Sequence, residues 1–289
     1  MNNILNALQL AEQQLLQSQT YTDDANRDAK LDASILLAHV ISKPRAFLLT
    51  WPDQVLSIGQ AAMFAALIER RAMGEPIAYL THQKEFFSLI FKINNSVLIP
   101  RFETEILVET ILEKYKDHEH LYLLELGTGS GVISIALAKC KPNWRITAVD
   151  KSEAALEVAK SNAVLHNISN INFVLSDWYT ELHHQQFDCI VANPPYIAHD
   201  DPNMSSGDVV FEPRSALVAE KAGIADIETI MTQGFFYLKA NGVLIFEHGY
   251  NQLEVIKSIV SDSADKWDNF YGIKDYSDHD RIFVLHKQA

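Results

Sequence analysis

The sequence predicts an α/β protein: an open, mostly parallel sheet preceded by a small helical domain. Three observations lead there. From Leu121 onward, apolar β-rich runs alternate with helical runs, as in parallel strands joined by crossover helices. The first of those runs ends in a glycine-rich turn, Gly127-Thr128-Gly129-Ser130-Gly131, which opens a helix. Before about residue 82 the apolar positions keep helical rather than alternating spacing.

In chain order, the helical part comes first, over 1–82. Leu5, Leu8, Leu15 and Leu16 recur at near-helical spacing, and Asp32-Ala33-Ser34 leads into the run Ile35 to Ala38, which stops before Pro44. A third helical run, Ala61 to Arg71, ends at the stop signal Gly74-Glu75-Pro76. Residues 83–100 then turn β-rich, with Phe86-Phe87, Ile90-Phe91 and Val97-Leu98, and predict a linking hairpin that turns at Asn94-Asn95.

The remaining stretch, 101–289, holds the α/β pattern. A helix is expected over Thr104 to Lys114, then strands at Leu121 to Leu126, Trp144 to Val149, Asn172 to Leu175 and Phe187 to Ala192. Helices Val132 to Lys139 and Ser152 to His166 separate the first three. A long polar loop spans Asp200 to Val218, followed by a helix from Ile224 to Leu238 and strands at Gly242 to Glu247 and Arg281 to His286.

Composition narrows the setting. The chain has 289 residues, 48% of them hydrophobic, enough for a full core. No apolar run reaches the roughly 20 residues that span a bilayer. The first residues carry no basic stretch or apolar segment of a signal peptide, so a cytoplasmic protein with no membrane partner is expected. The two cysteines, Cys140 and Cys189, are expected to stay reduced. A net charge of −13 argues against gripping nucleic acid, which is usually met by clustered Lys and Arg. The histidines show no metal-ligand spacing, so no metal is expected; His118-Glu119-His120 and His183-His184 read as solvated surface.

Four motifs carry chemistry. In the Gly127 to Gly131 turn, missing Cβ atoms let a ligand approach the backbone, although such a turn also serves simply to pack helix on strand. Its spacing is not that of a dinucleotide site, which disfavours a nicotinamide oxidoreductase. Asp150, ending the second strand, can accept both hydroxyl hydrogens of a ribose; the alternative is a helix cap, for which Ser152 competes. In Ser176-Asp177-Trp178 the Asp177 carboxylate can accept an adenine amino group and Trp178 can offer a ring face, or the Trp is core. The last motif is Asn193-Pro194-Pro195-Tyr196, where two prolines fix φ twice and stiffen an exposed loop at the end of a strand. There the Asn193 side-chain oxygen and the Pro194 carbonyl can each accept one hydrogen of a substrate NH₂ group, while Tyr196 stacks on the planar group behind it. A structural Pro-Pro turn is the bland alternative.

Together these residues resemble the class I S-adenosylmethionine-dependent methyltransferases. Further segments narrow the resemblance: Arg71 to Leu80, Glu85-Phe86-Phe87, Ile99-Pro100-Arg101-Phe102-Glu103-Thr104-Glu105 and Phe211-Glu212-Pro213-Arg214-Ser215-Ala216-Leu217 stand in the order of the bacterial peptide-chain-release-factor glutamine N5-methyltransferases. The chain departs from that family at Phe102, where a proline is expected, and at Glu125, where an aspartate is common and either carboxylate can face the donor's ammonium group. The resemblance implies a Rossmann-like sheet with an antiparallel C-terminal strand and a helical N-terminal domain that recognises substrate. It implies S-adenosylmethionine as methyl donor, held by Gly127, Thr128, Gly129, Ser130, Gly131, Asp150, Asp177, Trp178 and Asn193. Asn193 and Pro194 would be catalytic, with Asn193 to Tyr196 holding the substrate. That substrate would be the Gln of the Gly-Gly-Gln motif in class 1 release factors, met by a monomeric enzyme supporting translation termination. An amino-methyltransferase acting on a DNA or rRNA base shares the Asn-Pro-Pro-Tyr motif and is the competing reading.

Overall fold

The computed structural model describes residues 3–22, 27–183, 185–205, 207–262 and 266–289; His184 lies outside them. The chain forms two units. One comprises Met1–Gln83 with Pro202–Phe211, the other Lys84–Asp201 with Glu212–Ala289.

The first unit is built from α1 (Ile4–Leu16), α2 (Gln19–Thr22), α3 (Ala29–Ile41), α4 (Arg45–Thr50), α5 (Ile58–Ala72) and α6 (Ile77–Thr81). Side-chain caps start the long helices: Asn3 on α1, Asp28 on α3, and a Ser57–Gln60 capping box on α5. Ile4, Leu15, Leu36, Leu37, Phe64 and Ile68 fill the space between them. One ion pair is buried there: Arg71 Nε lies 2.7 Å from Asp32, which also accepts the Tyr21 hydroxyl. The segment 202–211, expected as part of a polar loop, belongs to this unit. Asp208 in it accepts from Arg27 at 3.0 Å and Arg71 at 3.5 Å, and the Phe211 ring lies over Gly74.

The second unit opens on a two-stranded ribbon, β1 (Gln83–Phe86) and β2 (Leu89–Lys92). Its turn is Phe87-Ser88, not Asn94-Asn95, and Val97-Leu98 is not strand. Both turn residues take left-handed φ, 49° and 60°, as a two-residue hairpin requires. Asn94 makes a separate turn, its side chain accepting from Ser96 N. Asn162 ties the ribbon down, exchanging hydrogen bonds with Lys92 N and O at 2.7 and 3.0 Å.

The sheet follows, with β3 (Tyr122–Leu126), β4 (Arg145–Asp150), β5 (Ile171–Leu175), β6 (Phe187–Ala192), β7 (Leu238–Glu247), β8 (Trp267–Lys274) and β9 (Asp280–Lys287). Around it run α7 (Glu105–Lys114), α8 (Val132–Cys140), α9 (Glu153–Leu165), the single turn α10 (Glu220–Gly223), α11 (Ala225–Tyr237) and α12 (Leu253–Ser261). Strand order is β5-β4-β3-β6-β7-β9-β8, parallel through β7, with β9 antiparallel to both neighbours. The predicted fold class is therefore found. The sequence reading had no counterpart for α12 or for β8, an edge strand exposed along most of its length.

Strands β3 and β6 are buried along nearly their whole length, as expected for a parallel sheet covered on both faces. The chain runs outward from β3 to β5 and then returns to place β6 on the other side of β3. Ligand crevices in open α/β sheets form at such a reversal, outside the C-terminal strand ends. Among the described residues no helix is long and apolar enough to cross a membrane, and no group of three His, Cys, Asp or Glu side chains is placed to hold a metal ion.

Candidate active site

The glycine-rich turn leaves β3 with φ of 69° at Gly127, 55° at Gly129 and 83° at Gly131, a run of left-handed conformations that side chains resist. The three glycines do different work. A Cβ on Gly131 would stand 2.9 Å from Ile135 Cδ1 and 3.2 Å from Ala159 Cβ, so Gly131 is where α8 packs against α9 and is absent from the cleft wall. A Cβ on Gly129 would meet nothing within 4 Å, because that residue borders open space. A Cβ on Gly127 would lie 3.6 Å from the Trp178 ring, an ordinary contact. Thr128 and Ser130 complete the turn. Thr128 N reaches across to Val149 O at 2.9 Å, and Ser130 O accepts from buried Asn162.

Beneath the turn lies Glu125, 1% exposed. One of its oxygens, Oε2, takes three donors: Thr128 Oγ1 at 2.7 Å, Ser134 N at 3.1 Å and the Ser134 hydroxyl. The residue lines the cleft, and Oε1 has no hydrogen-bond partner among the described residues. Burial pushes its carboxyl up to about 7 against these donors.

Asp150 closes the next strand. Its Oδ2 accepts from Gly129 N at 2.8 Å and its Oδ1 from Ser152 N at 2.9 Å, so the carboxylate is fixed against the turn. Capping of α9 falls to Ser152, whose hydroxyl accepts from Ala155 N. Because a carboxylate offers about four acceptor sites, two stay available to a ligand. Asp177 is exposed, and Trp178, at φ 49°, is half-buried. Both line the cleft.

Asn193 stands just past β6. Its Nδ2 donates to Thr104 Oγ1 at 3.0 Å; its Oδ1 has no donor among the described residues. Thr104 Oγ1 donates in turn to Glu247 Oε2 at 2.8 Å, and the other Glu247 oxygen accepts from the Tyr196 hydroxyl at 3.0 Å. The loop is stiff but not exposed. Pro194 and Pro195 are both buried, and of the four residues only Asn193 and Pro195 line the cleft. Tyr196, expected to stack on a substrate, is half-buried against the sheet's core, and its hydroxyl donates to Glu247. Gln252 fixes the loop from behind, donating to Tyr196 O at 2.9 Å, and Gly223 packs so closely there that a Cβ would lie 2.2 Å from the same oxygen.

These elements meet in one cleft of about 940 Å³, measured out to its open mouth. A strap crosses its edge. Arg101 holds Glu212 at 2.5 Å and Ile99 N reaches the same carboxylate, so Pro213 and Ser215 join the wall. The sequence reading assigned no part in the site to Thr104, Glu247 or Gln252. Glu247 did carry a signal: an acidic residue ending an apolar strand, on the sheet edge where ligands bind.

Fold and site together define a methyltransferase of the Rossmann-like class. The catalytic domain of hMettl16, solved with the MAT2A 3′UTR hairpin 6, aligns with a TM-score of 0.56 at 18% identity, over 87% of this chain and 92% of that one. A methyltransferase from Pyrococcus furiosus aligns at 0.53 and 19%, over 76% and 98%. Residues 102–219 match the family model “Methyltransferase small domain” and residues 6–81 the “PrmC N-terminal domain”. The release factor glutamine methyltransferase of Vibrio cholerae is 43% identical over 96% of this chain and 94% of its own length, and that of Escherichia coli 40% over 89% and 92%. The chain belongs to the release factor glutamine methyltransferase family.

Proposed function

We propose that this enzyme moves the methyl group of S-adenosylmethionine onto the side-chain amide nitrogen of the Gln in the Gly-Gly-Gln motif of class 1 release factors. The observation that carries it is the Asn193 carboxamide on the cleft wall: its nitrogen is tied to Thr104, and its oxygen meets no donor among the described residues. An acceptor held so rigidly suits a substrate NH₂ group, and the family's named substrate is a glutamine.

The cleft suits the donor. S-adenosylmethionine supplies an electrophilic methyl on a positively charged sulfur. Glu125 Oε1 and Asp150 are the carboxylates that would meet its ammonium and ribose hydroxyls, Gly127 and Gly129 would admit it to the backbone, and Asp177 and Trp178 would border its adenine. Thr128 and Ser130 shape that wall, while Gly131 supports it from the helix side. On the substrate side, Asn193 Oδ1 would accept one amide hydrogen and the carbonyl of Pro194, the buried residue between the cleft-lining Asn193 and Pro195, the other, with Pro195 walling the planar group. An amide nitrogen is a weak nucleophile because its lone pair is delocalised. Fixing both hydrogens aims that lone pair along the line of displacement and favours its pyramidalisation. The N–C bond forms as C–S breaks, and the nitrogen then gives one proton to solvent. The helical unit would recognise the rest of the release factor.

The test is transfer of labelled methyl to a release factor, to the same factor with its motif Gln changed to Ala, and to total RNA. Label is expected in the first alone. Label in RNA only, or undiminished in the Ala variant, overturns the proposal. In parallel, Asn193→Ala should lower kcat about 10²–10³-fold, as for loss of one preorganised polar contact to a reacting group, with cofactor affinity retained.

A further inference from the structure

A carboxamide has two ends of nearly equal size, and only its partners decide which end faces where. At Asn193 the choice is chemical: oxygen toward the cleft accepts from a substrate NH₂, whereas nitrogen would present hydrogens to hydrogens. The bonds around it leave one solution. Glu247 ends β7 beside Asn193, since Ala192 pairs with Phe246 one residue earlier. Two hydroxyls converge on its carboxylate, Tyr196 at 3.0 Å and Thr104 at 2.8 Å. Burial pushes that carboxyl's pKa up, while both donors and the charge of Arg281 pull it back toward the ionised, acceptor-only form. Thr104 has a single hydroxyl hydrogen and spends it on Glu247, so toward Asn193, 3.0 Å away, it can only accept.

Thr104 closes a short 3-10 turn, Phe102–Thr104, that runs straight into α7; its own φ and ψ are helical, and its side chain makes no capping bond to that helix. The residue is 3% exposed, and among the described residues its hydroxyl bonds to Asn193 and Glu247 alone.

We infer that Thr104 and Glu247 are positioning residues, a one-way hydrogen-bond relay that holds the Asn193 carboxamide with its oxygen toward the reacting nitrogen. The role rests on the methyl-transfer reading above, but the orientation itself is a property of the free protein. Thr104→Val keeps the shape and removes the acceptor; Thr104→Ser restores it. With ¹⁵N-labelled asparagine, the Asn193 side-chain NH₂ should give two well-separated, slowly exchanging proton signals in the wild type and the Ser variant. In the Val variant they should move toward each other and exchange faster. In methyl transfer the Val variant should lose about tenfold in kcat, the scale of one hydrogen bond, with KM for release factor and cofactor affinity little changed, and Ser should recover most of it. A purely structural threonine would instead lower the melting temperature and move KM and kcat together. Unchanged NH₂ signals in the Val variant, wild-type kcat there, or a Ser variant no better than Val overturns the relay. Should the wild type label no release factor, the substrate assignment fails, while the NH₂ signals still decide the orientation.

Discussion

Glu125 places a carboxyl where the fold least favours a negative charge. It is fully buried beneath the glycine-rich turn, and burial raises its carboxyl from an ordinary 4.5 to about 7. Between those values the folded chain keeps a proton that the unfolded chain has released. Its contribution is therefore fully present below about pH 4.5 and is lost as pH rises through about 7. Glu125→Gln replaces the carboxyl with a neutral group that can still accept from Thr128 and Ser134. Relative to this variant, the wild type should lose on the order of 2–3 kcal/mol across that window. Urea melts of both proteins without ligand, from about pH 4.5 to about pH 8, measure the difference, and parallel curves would rule the effect out. Much of this site was legible in the sequence, because Asp150, Trp178 and Asn193 follow directly on strands whose apolar runs locate them. Thr104 and Glu247 were not assigned. Their roles depend on where a buried hydroxyl lands in the fold and on two strand ends lying side by side, and spacing along one chain encodes neither.

At the scale of the element, the glycine-rich turn separates packing from binding. Gly131→Ala would add a methyl 2.9 Å from Ile135 Cδ1 at a φ of 83°, so strain and overpacking combine. The expected loss is about 2–4 kcal/mol. Gly129→Ala keeps only the strain, about 1–2 kcal/mol, because its methyl enters open cleft. The two variants should therefore rank oppositely: Gly131→Ala the less stable, Gly129→Ala the weaker in S-adenosylmethionine binding. Thermal melts and a binding titration give both rankings, and the same order in each would refute the division. The sheet strands and their helices were readable because apolar periodicity is strong in a fully covered parallel sheet. The hairpin turn was not, since Phe87 and Ser88 adopt left-handed φ that glycine or asparagine would have advertised, while Asn94-Asn95 advertised a turn of another kind. Strand β8 was missed for a related reason: an exposed edge strand has no buried face to impose alternation.

At the scale of the molecule, the chain does not divide once. It leaves the helical unit at Gln83 and re-enters it for Pro202–Phe211, six residues after Tyr196. Composition could not reveal this, because a polar segment reads alike whether it lies on one unit or another. What holds 202–211 among the helices is charge: Asp208, 42% exposed, accepts from Arg27 and Arg71, whose side chains are 7% and 5% exposed. Arg71 keeps its 2.7 Å bond to Asp32 whatever happens at Asp208, so losing Asp208 should not unfold the helices. It should release the segment. For Asp208→Ala the expected cost is about 1–2 kcal/mol, below that of a fully buried pair because solvent already screens the carboxylate. Asp208→Asn keeps an acceptor without the charge and should fall between. Hydrogen-exchange mass spectrometry distinguishes this from general destabilisation. Peptides covering 207–211 should exchange faster in the Ala variant while those of β3 and β6 keep wild-type protection. Equal acceleration in the sheet would mean that Asp208 supports the whole molecule, and no acceleration at all would mean that Phe211 on Gly74, rather than the ion pair, retains the segment.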